Sequence, residues 1–348
     1  MDAASLDIEN RADCQRYLVA AGHCRAGEVT EHKVLAGGVS SRTVLVAFTD
    51  GRRWVLKQSL AKLRVAADWF SDPRRIHREA LGMRVLGELL SMTYPGRIPR
   101  LMFDDETNHV LGMEAVPEPH ENWKTMLMDG RVHHEYFSEF GRILGTIHGA
   151  SYILGDQYAP LFADRTFFET LRIEPYYKYS SIQAPVAGTF LFDLIEETRG
   201  NALCLVHGDF SPKNILVHNK HLVLLDHEVI HWGDPAFDVG FAMSHLLVKT
   251  RFSGYTAHAL ENNFPDDYFL SDELWENPTL SSDEYRRRCL RHTLACLLAR
   301  AVGRSPLEYL NAAARMQQCN VTLSLIKDLP ADFPELLTRF TRAMGTEF

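Results

Sequence analysis

The sequence predicts an α+β fold in two lobes: a small N-terminal lobe with an antiparallel sheet plus a helix, and a larger, mostly α-helical C-terminal lobe. Three observations carry this. Between Val34 and Gln58 short β-rich runs alternate with turns, and beyond Pro119 apolar residues recur at helical spacing. The chain of 348 residues also exceeds the length at which single cores stop growing, roughly 250–300 residues.

The runs "VLAGG", "RTVLVAF" and "RRWVLKQ" read as three strands, and Asp50-Gly51 between the last two is a strong hairpin signal. A helix follows in "SDPRRIHREALGMRVLGELL", with Ser71 or Asp72 as N-cap, Pro73 at the first helical position, and Ile76, Ala80, Met83 and Leu86 on one face. Two more apolar runs flank a polar turn in "IPRLMFDDETNHVLGMEAV". The prolines of "PEPHENW" then end regular structure. The lobe boundary is therefore expected near Val116 to Pro119, dividing residues 1–117 from 118–348. Beyond it, "EYFSEFGRILGTIHGAS", "GTFLFDLIEETRG" and "PAFDVGFAMSHLLVKT" read as helices, and a long helix is expected from about Ser282 to Val302, carrying Cys289, Thr293, Cys296, Leu297 and Arg300. The stretch "ENNFPDDYFLSDELWENPTLSSDE", rich in acids, Asn and Pro, reads as a loop.

Composition narrows the function. With 46% hydrophobic and 24% charged residues the chain has the balance of an ordinary globular protein. A formal charge of −8, without a long basic run, argues against nucleic acid as a partner. The six cysteines show no CxxC pair and no zinc-ligand spacing, so reduced thiols are expected. No apolar run approaches the roughly 18 residues that span a bilayer, and the first residues are acidic where a signal peptide is basic. Hence the expectation is no membrane partner, a cytoplasmic location, and a monomer or homodimer.

The densest chemistry lies in "LVHGDFSPKNILV". His207, Asp209 and Asn214 follow an HxDxxxxN spacing between apolar runs, and twelve residues after Asn214 an apolar strand ends in Asp226, with Glu228 two residues on. A carboxamide and carboxylates gathered on adjoining turns form a set of hard oxygen ligands suited to Mg²⁺ and nucleotide phosphates. Asn214, Asp226 and Glu228 are the candidate metal ligands. Asp209 is the candidate that orients a substrate hydroxyl or accepts its proton.

This arrangement resembles the catalytic loop and metal motif of the aminoglycoside phosphotransferase and choline kinase superfamily, whose fold is protein-kinase-like. The resemblance covers about Val34 to Tyr309. It implies that "LAGGVSSRTVLV" is the glycine-bearing turn over the phosphates, with Gly37, Gly38 and Ser40 at the nucleotide. It likewise implies that Lys57 of "WVLKQ" contacts the α- and β-phosphates and pairs with Glu79, and that backbone groups from Glu114 to Val116 read adenine. Asp238 of "GDPAFDVG" would brace the catalytic loop, and His207 would share that structural role. Residues 1–117 would then be a nucleotide-binding lobe and 118–348 the catalytic and substrate-binding lobe.

The resemblance implies an ATP- and Mg²⁺-dependent kinase that transfers the γ-phosphoryl group to the hydroxyl of a small molecule. "VLKQSLAKLRV", "DPRRIHREAL" and "PHENWKTMLMDG" are similar to methylthioribose kinases, which favours a sugar-type alcohol. Two departures stand against that particular substrate: Asn214 replaces a serine, and Ala299-Arg300 replaces an arginine pair. Arg300 and Lys213 are candidate substrate contacts. Acids around Asp266, Asp267, Asp272 and Glu273 favour instead an aminoglycoside or a choline-like amino alcohol, and a nucleotide-binding pseudokinase is the non-catalytic alternative.

Overall fold

A computed structural model describes residues 6–35, 38–64, 68–271, 278–280 and 282–345. Strands β1 (Val29–Val34), β2 (Ser41–Phe48), β3 (Arg53–Ser59), β4 (Leu101–Asp105) and β5 (Val110–Glu114) form one antiparallel sheet in the order β1-β2-β3-β5-β4. Because side chains alternate along a strand, Val44, Val46, Trp54 and Leu56 share one face. There they pack with Ile8, Cys14 and Leu18, the last two on the N-terminal helix Arg11–Ala20. Val55 and Lys57 of β3 take the opposite face, where helix Arg75–Leu89 lays Ile76 and Met83 against Leu111 and Met113. This alternation aims Lys57 at the helix that carries Glu79.

Two local details differ from expectation. Four residues, not two, separate β2 from β3; Gly51 adopts φ 86° and the Phe48 N–H donates to the Arg52 carbonyl at 2.9 Å. The helix begins at Arg75 rather than Pro73, because the Asp72 carboxylate accepts from the Arg74 N–H at 2.9 Å and holds that segment as a turn.

Five short strands follow: β6 (His120–Asn122), β7 (Cys204–Val206), β8 (Ile215–His218), β9 (His221–Leu224) and β10 (His231–Gly233). β6, β8 and β9 form one small sheet, and β7 pairs with β10. Around them stand helices His134–Ile153, Gly188–Gly200, Ala236–Lys249 and Asp283–Val302, close to the expected bounds, and Ser282 caps the last by accepting from the Tyr285 N–H. Ala236–Lys249 is buried along its whole length and packs against Asp283–Val302 through the core.

The stretch expected to be a loop contains a helical turn, Asp266–Phe269, because two aromatics on it find partners in the core. Tyr268 and Phe269 are buried, and the Tyr268 hydroxyl meets His148 at 2.8 Å and Tyr285 at 2.6 Å. Asp272 and Glu273 lie outside the described residues. Helices Ala312–Lys327 and Phe333–Met344, and a π-helix over Glu169–Lys178, were not anticipated. Among the described residues no helix is long and apolar enough to cross a membrane.

Candidate active site

β7 runs into His207, Gly208 and Asp209, and the turn depends on Gly208. Its φ of 75° lies in the left-handed region, and a Cβ there would meet the Val229 side chain at 2.9 Å. Asp238, in the first turn of helix Ala236–Lys249, accepts from the backbone N–H groups of His207 (2.6 Å) and Gly208 (2.8 Å), and His148 approaches it at 3.3 Å. His207 Nδ1 accepts from the Asp209 N–H at 3.2 Å, and its Nε2 faces His227 Nδ1 at 3.1 Å. Burial lowers the pKa of both histidines, so they serve this network as neutral rings.

Asp209 is buried, and three side chains converge on it. Lys213 Nζ lies 2.9 Å from Oδ2, the Asn214 amide donates to the same oxygen at 2.8 Å, and Arg172 Nη2 lies 2.9 Å from Oδ1. The Arg172 contact is off-line for a hydrogen bond, which leaves Oδ1 without a hydrogen-bonded partner within the protein. Burial opposes ionisation of Asp209, but Arg172 and Lys213 outweigh it and hold the carboxyl below its usual range. This is a buried, charged carboxylate whose Oδ1 meets only the Arg172 guanidinium among the described residues.

The β8–β9 hairpin carries Asn214 and Asp226 at its two open ends, closed by the Leu225 N–H donating to the Asn214 carbonyl at 2.9 Å. Asp226 takes φ 68°, an uncommon conformation for a non-glycine residue and the kind of local strain found at functional sites. Lys57 Nζ bridges Glu79, at 2.7 Å to both carboxylate oxygens, and Asp226 at 2.9 Å. Burial disfavours the Lys57 ammonium, yet Asp226, Glu79 and Glu228 outweigh it and raise its pKa. Burial pushes the Glu79 carboxyl up, while Lys57 keeps Asp226 below its usual range despite its burial.

Carboxylate atoms of Glu79, Asp226 and Glu228 lie within 4.8 Å of one another, a grouping able to hold a metal ion. Lys57 occupies both oxygens of Glu79, so Asp226 and Glu228 are the donors left to a cation. The Asn214 amide nitrogen is spent on Asp209, which leaves its carbonyl oxygen for the same use. Glu228 is oriented by Arg75 Nε at 3.0 Å; the same guanidinium reaches the carbonyls of Ser71, Asp72, Leu60 and Ser40. Fully buried Arg75 thus ties the metal-side carboxylate to the glycine-bearing turn.

Of that turn, Gly37 lies outside the described residues. A Cβ on Gly38 would come 3.2 Å from the Ser41 carbonyl, and the Ser40 carbonyl is held by Arg75 and by the Leu60 N–H. At the end of β5 the Glu114 and Ala115 N–H groups bond to Arg100 and Arg53, whereas among the described residues no group accepts from the Val116 N–H.

Arg300 is buried, with its guanidinium 4.9 Å from the Tyr176 ring and donating to the Ser305 carbonyl at 2.8 Å. Asp267 instead pairs with Arg142, and Asp266 lines a separate cleft of about 520 Å³ with Asp283, Arg286 and Asp332. Sequence reasoning missed Arg172 and Arg75. Arg172 had one signal, an aromatic at i+4 (Tyr176) that its guanidinium overlies at 5.6 Å; Arg75 had none, since it reads as helix surface.

The sequence profile of the phosphotransferase enzyme family matches residues 31–271. No curated protein matches the sequence as a relative. Among solved structures, an ethanolamine kinase from Plasmodium vivax is similar at 11% identity and a TM-score of 0.54, over 98% of this chain and 89% of that one. A choline/ethanolamine kinase family protein from Mesorhizobium loti is similar at 15% identity and 0.53, over 96% and 98%. An amicoumacin kinase in complex with AMP-PNP and Ca²⁺ is similar at 15% and 0.53, over 93% and 96%.

Proposed function

The chain belongs to the phosphotransferase enzyme family and is a kinase for small-molecule hydroxyls, and we propose that it transfers the γ-phosphoryl group of ATP through Asp209 to a sugar-type alcohol. The observation that carries this reading is the buried Asp209 carboxylate, held charged by Arg172 and Lys213, on the same loop as Asn214 and near Asp226, which Lys57 links to Glu79.

In the proposed reaction the acceptor hydroxyl donates to Asp209, its oxygen forms the new P–O bond, and the bond from the γ-phosphorus to ADP breaks as the hydroxyl proton passes to the carboxylate. Lys57, fixed by Glu79, neutralises charge on the non-transferred phosphates. Gly38 and Ser40 shape the turn above them, and the Glu114 carbonyl and Val116 N–H meet the adenine edge. Asn214, Asp226 and Glu228 fit Mg²⁺, since all present hard oxygens. Bound there, Mg²⁺ supplies charge neutralisation and in-line alignment of the phosphates. Asp238 and His207 act by holding the loop still, so that positioning carries most of the catalysis.

The sugar-type acceptor is supported by the likeness of "VLKQSLAKLRV" and "PHENWKTMLMDG" to methylthioribose kinases. The test replaces Asp209 by Asn and measures both turnover, as ADP release with Mg·ATP over a panel of alcohols, and AMP-PNP affinity by calorimetry. Turnover is expected to fall by about 10²–10⁴-fold while affinity stays within about threefold. Near-normal turnover of the variant overturns the role of Asp209. A wild-type protein that binds AMP-PNP but neither hydrolyses ATP nor phosphorylates any alcohol would instead be a nucleotide-binding pseudokinase.

A further inference from the structure

Next to Arg172, the ion-pair partner of Asp209, cations gather without enough carboxylates to match them. Arg172, on the π-helix, and Arg300, on helix Asp283–Val302, both lie over the same two rings, 5.6 and 4.9 Å from Tyr176 and 5.6 Å each from Phe241. Arg300 also donates to His245 Nε2 at 3.1 Å, so His245 is neutral there and offers no negative charge. Lys249, one helical turn after His245 and 1% exposed, bonds only to the His245 carbonyl (3.0 Å) and the Tyr309 hydroxyl (3.5 Å). Lys124 and Lys249 approach the same Tyr309 ring at 5.1 and 5.6 Å. Lys213 sits at the mouth, on Asp209.

Asp209 pairs with Arg172 and Lys213, and Glu308 pairs with Lys124, which leaves Arg300 and Lys249. Among the described residues neither Arg300 nor Lys249 has a carboxylate within ion-pair distance, although both are buried. A buried charge left uncompensated is costly, so the negative charge of a ligand would complete this arrangement. The desolvated Lys249 ammonium, beside Lys124 and Arg300, is pushed down to about 7, which a bound anion would reverse.

We propose that the acceptor is an anionic alcohol, a hydroxy compound bearing a carboxylate or phosphate that Arg300, Lys249 and Lys124 hold while its hydroxyl faces Asp209. This rests on the kinase reading above and narrows it. It also runs against a choline-like or aminoglycoside acceptor, because a cationic group would enter a pocket that already carries excess positive charge.

The test titrates the protein loaded with AMP-PNP and Mg²⁺ by calorimetry with D-gluconate, D-glycerate and D-glucose 6-phosphate, and with D-glucose, D-glucosamine and choline. At least one anion is expected to bind tenfold or more tightly than glucose, glucosamine and choline, and the carboxylate and phosphate arms identify which group the pocket prefers. Lys249→Met is expected to erase that preference. Lys124→Met, at a partly exposed position that does not disturb the core, should weaken anion binding severalfold. Tighter binding of glucose, glucosamine or choline, absence of anion binding at millimolar concentration, or anion binding unmoved by both substitutions overturns the proposal. Failure of the kinase reading registers separately, as failure of AMP-PNP to bind or of Asp209→Asn to slow turnover.

Discussion

On the nucleotide side of the cleft Lys57 and Arg75 face three carboxylates, Glu79, Asp226 and Glu228, and every cation there has a partner at 3.0 Å or closer. On the proposed acceptor side Arg300 and Lys249 are also buried and, among the described residues, have no carboxylate partner. The same solvent-poor interior is therefore wired in opposite senses. One side holds acids in slight excess, suited to a phosphate-bound cation; the other holds bases in excess, suited to an anion. Charge matching thus distinguishes the two sides by the sign of the ligand each would accept.

Stability measurements can break this comparison. Lys57→Met strands Glu79 and Asp226 and is expected to destabilise the protein by about 3–5 kcal/mol, as breaking a buried pair does. Urea denaturation checks it, and a loss below about 1 kcal/mol would contradict the matched arrangement.

Lys249→Met should do the reverse. Its folded-state pKa, about 7, lies below the ordinary 10.5, so the folded protein resists a proton that the unfolded chain takes up. The penalty is fully present below about pH 7 and fades as pH rises toward 10.5. The variant should therefore be more stable than the native chain at pH 6, by about 1.4 kcal/mol for each unit of pKa lowering, with the gap closing at high pH. Lys124, Arg300, Glu308, Tyr309 and the His245 carbonyl face this ammonium and stay unchanged in the variant. Melting temperatures across pH 6–10 read the effect, and a destabilised variant at pH 6 would contradict it.

The effect that is smallest per residue comes from the buried histidines. Burial pushes His231 down to about 4 and also lowers His207 and His245. Unfolded histidines take up protons near their ordinary 6.5, so stability is expected to fall as pH drops from 6.5 toward 4, by up to about 1.4 kcal/mol per pH unit for each such group. Denaturant midpoints at pH 7, 6 and 5 test this, and a flat profile would show these rings to be solvated.

Much of the nucleotide side was legible in the sequence because its residues are tied to local signals. Lys57 follows an alternating strand, Asn214 and Asp226 sit at apolar strand ends, and Glu79 lies on a helix whose buried face could be counted. Of the acceptor side only Arg300 and Lys213 were singled out from the sequence. Arg172, His245, Lys249 and Tyr309 come from three segments brought together only by packing, and helix Ala236–Lys249, apolar around its circumference, hides which of its residues face the cation cluster. Arg75 was invisible for a related reason: an arginine in a charged helix start reads as solvent-facing until the fold buries it. The turn Asp266–Phe269 escaped because its order comes from Tyr268 reaching His148 and Tyr285, partners distant in sequence.

The most direct measurement is ³¹P NMR of the protein incubated with Mg·ATP and a mixture of gluconate, glycerate, glucose, glucosamine and choline. Phosphoryl transfer predicts a new phosphomonoester resonance that grows in step with ADP. ATP consumed to ADP and inorganic phosphate alone, or not consumed, would contradict transfer to these alcohols.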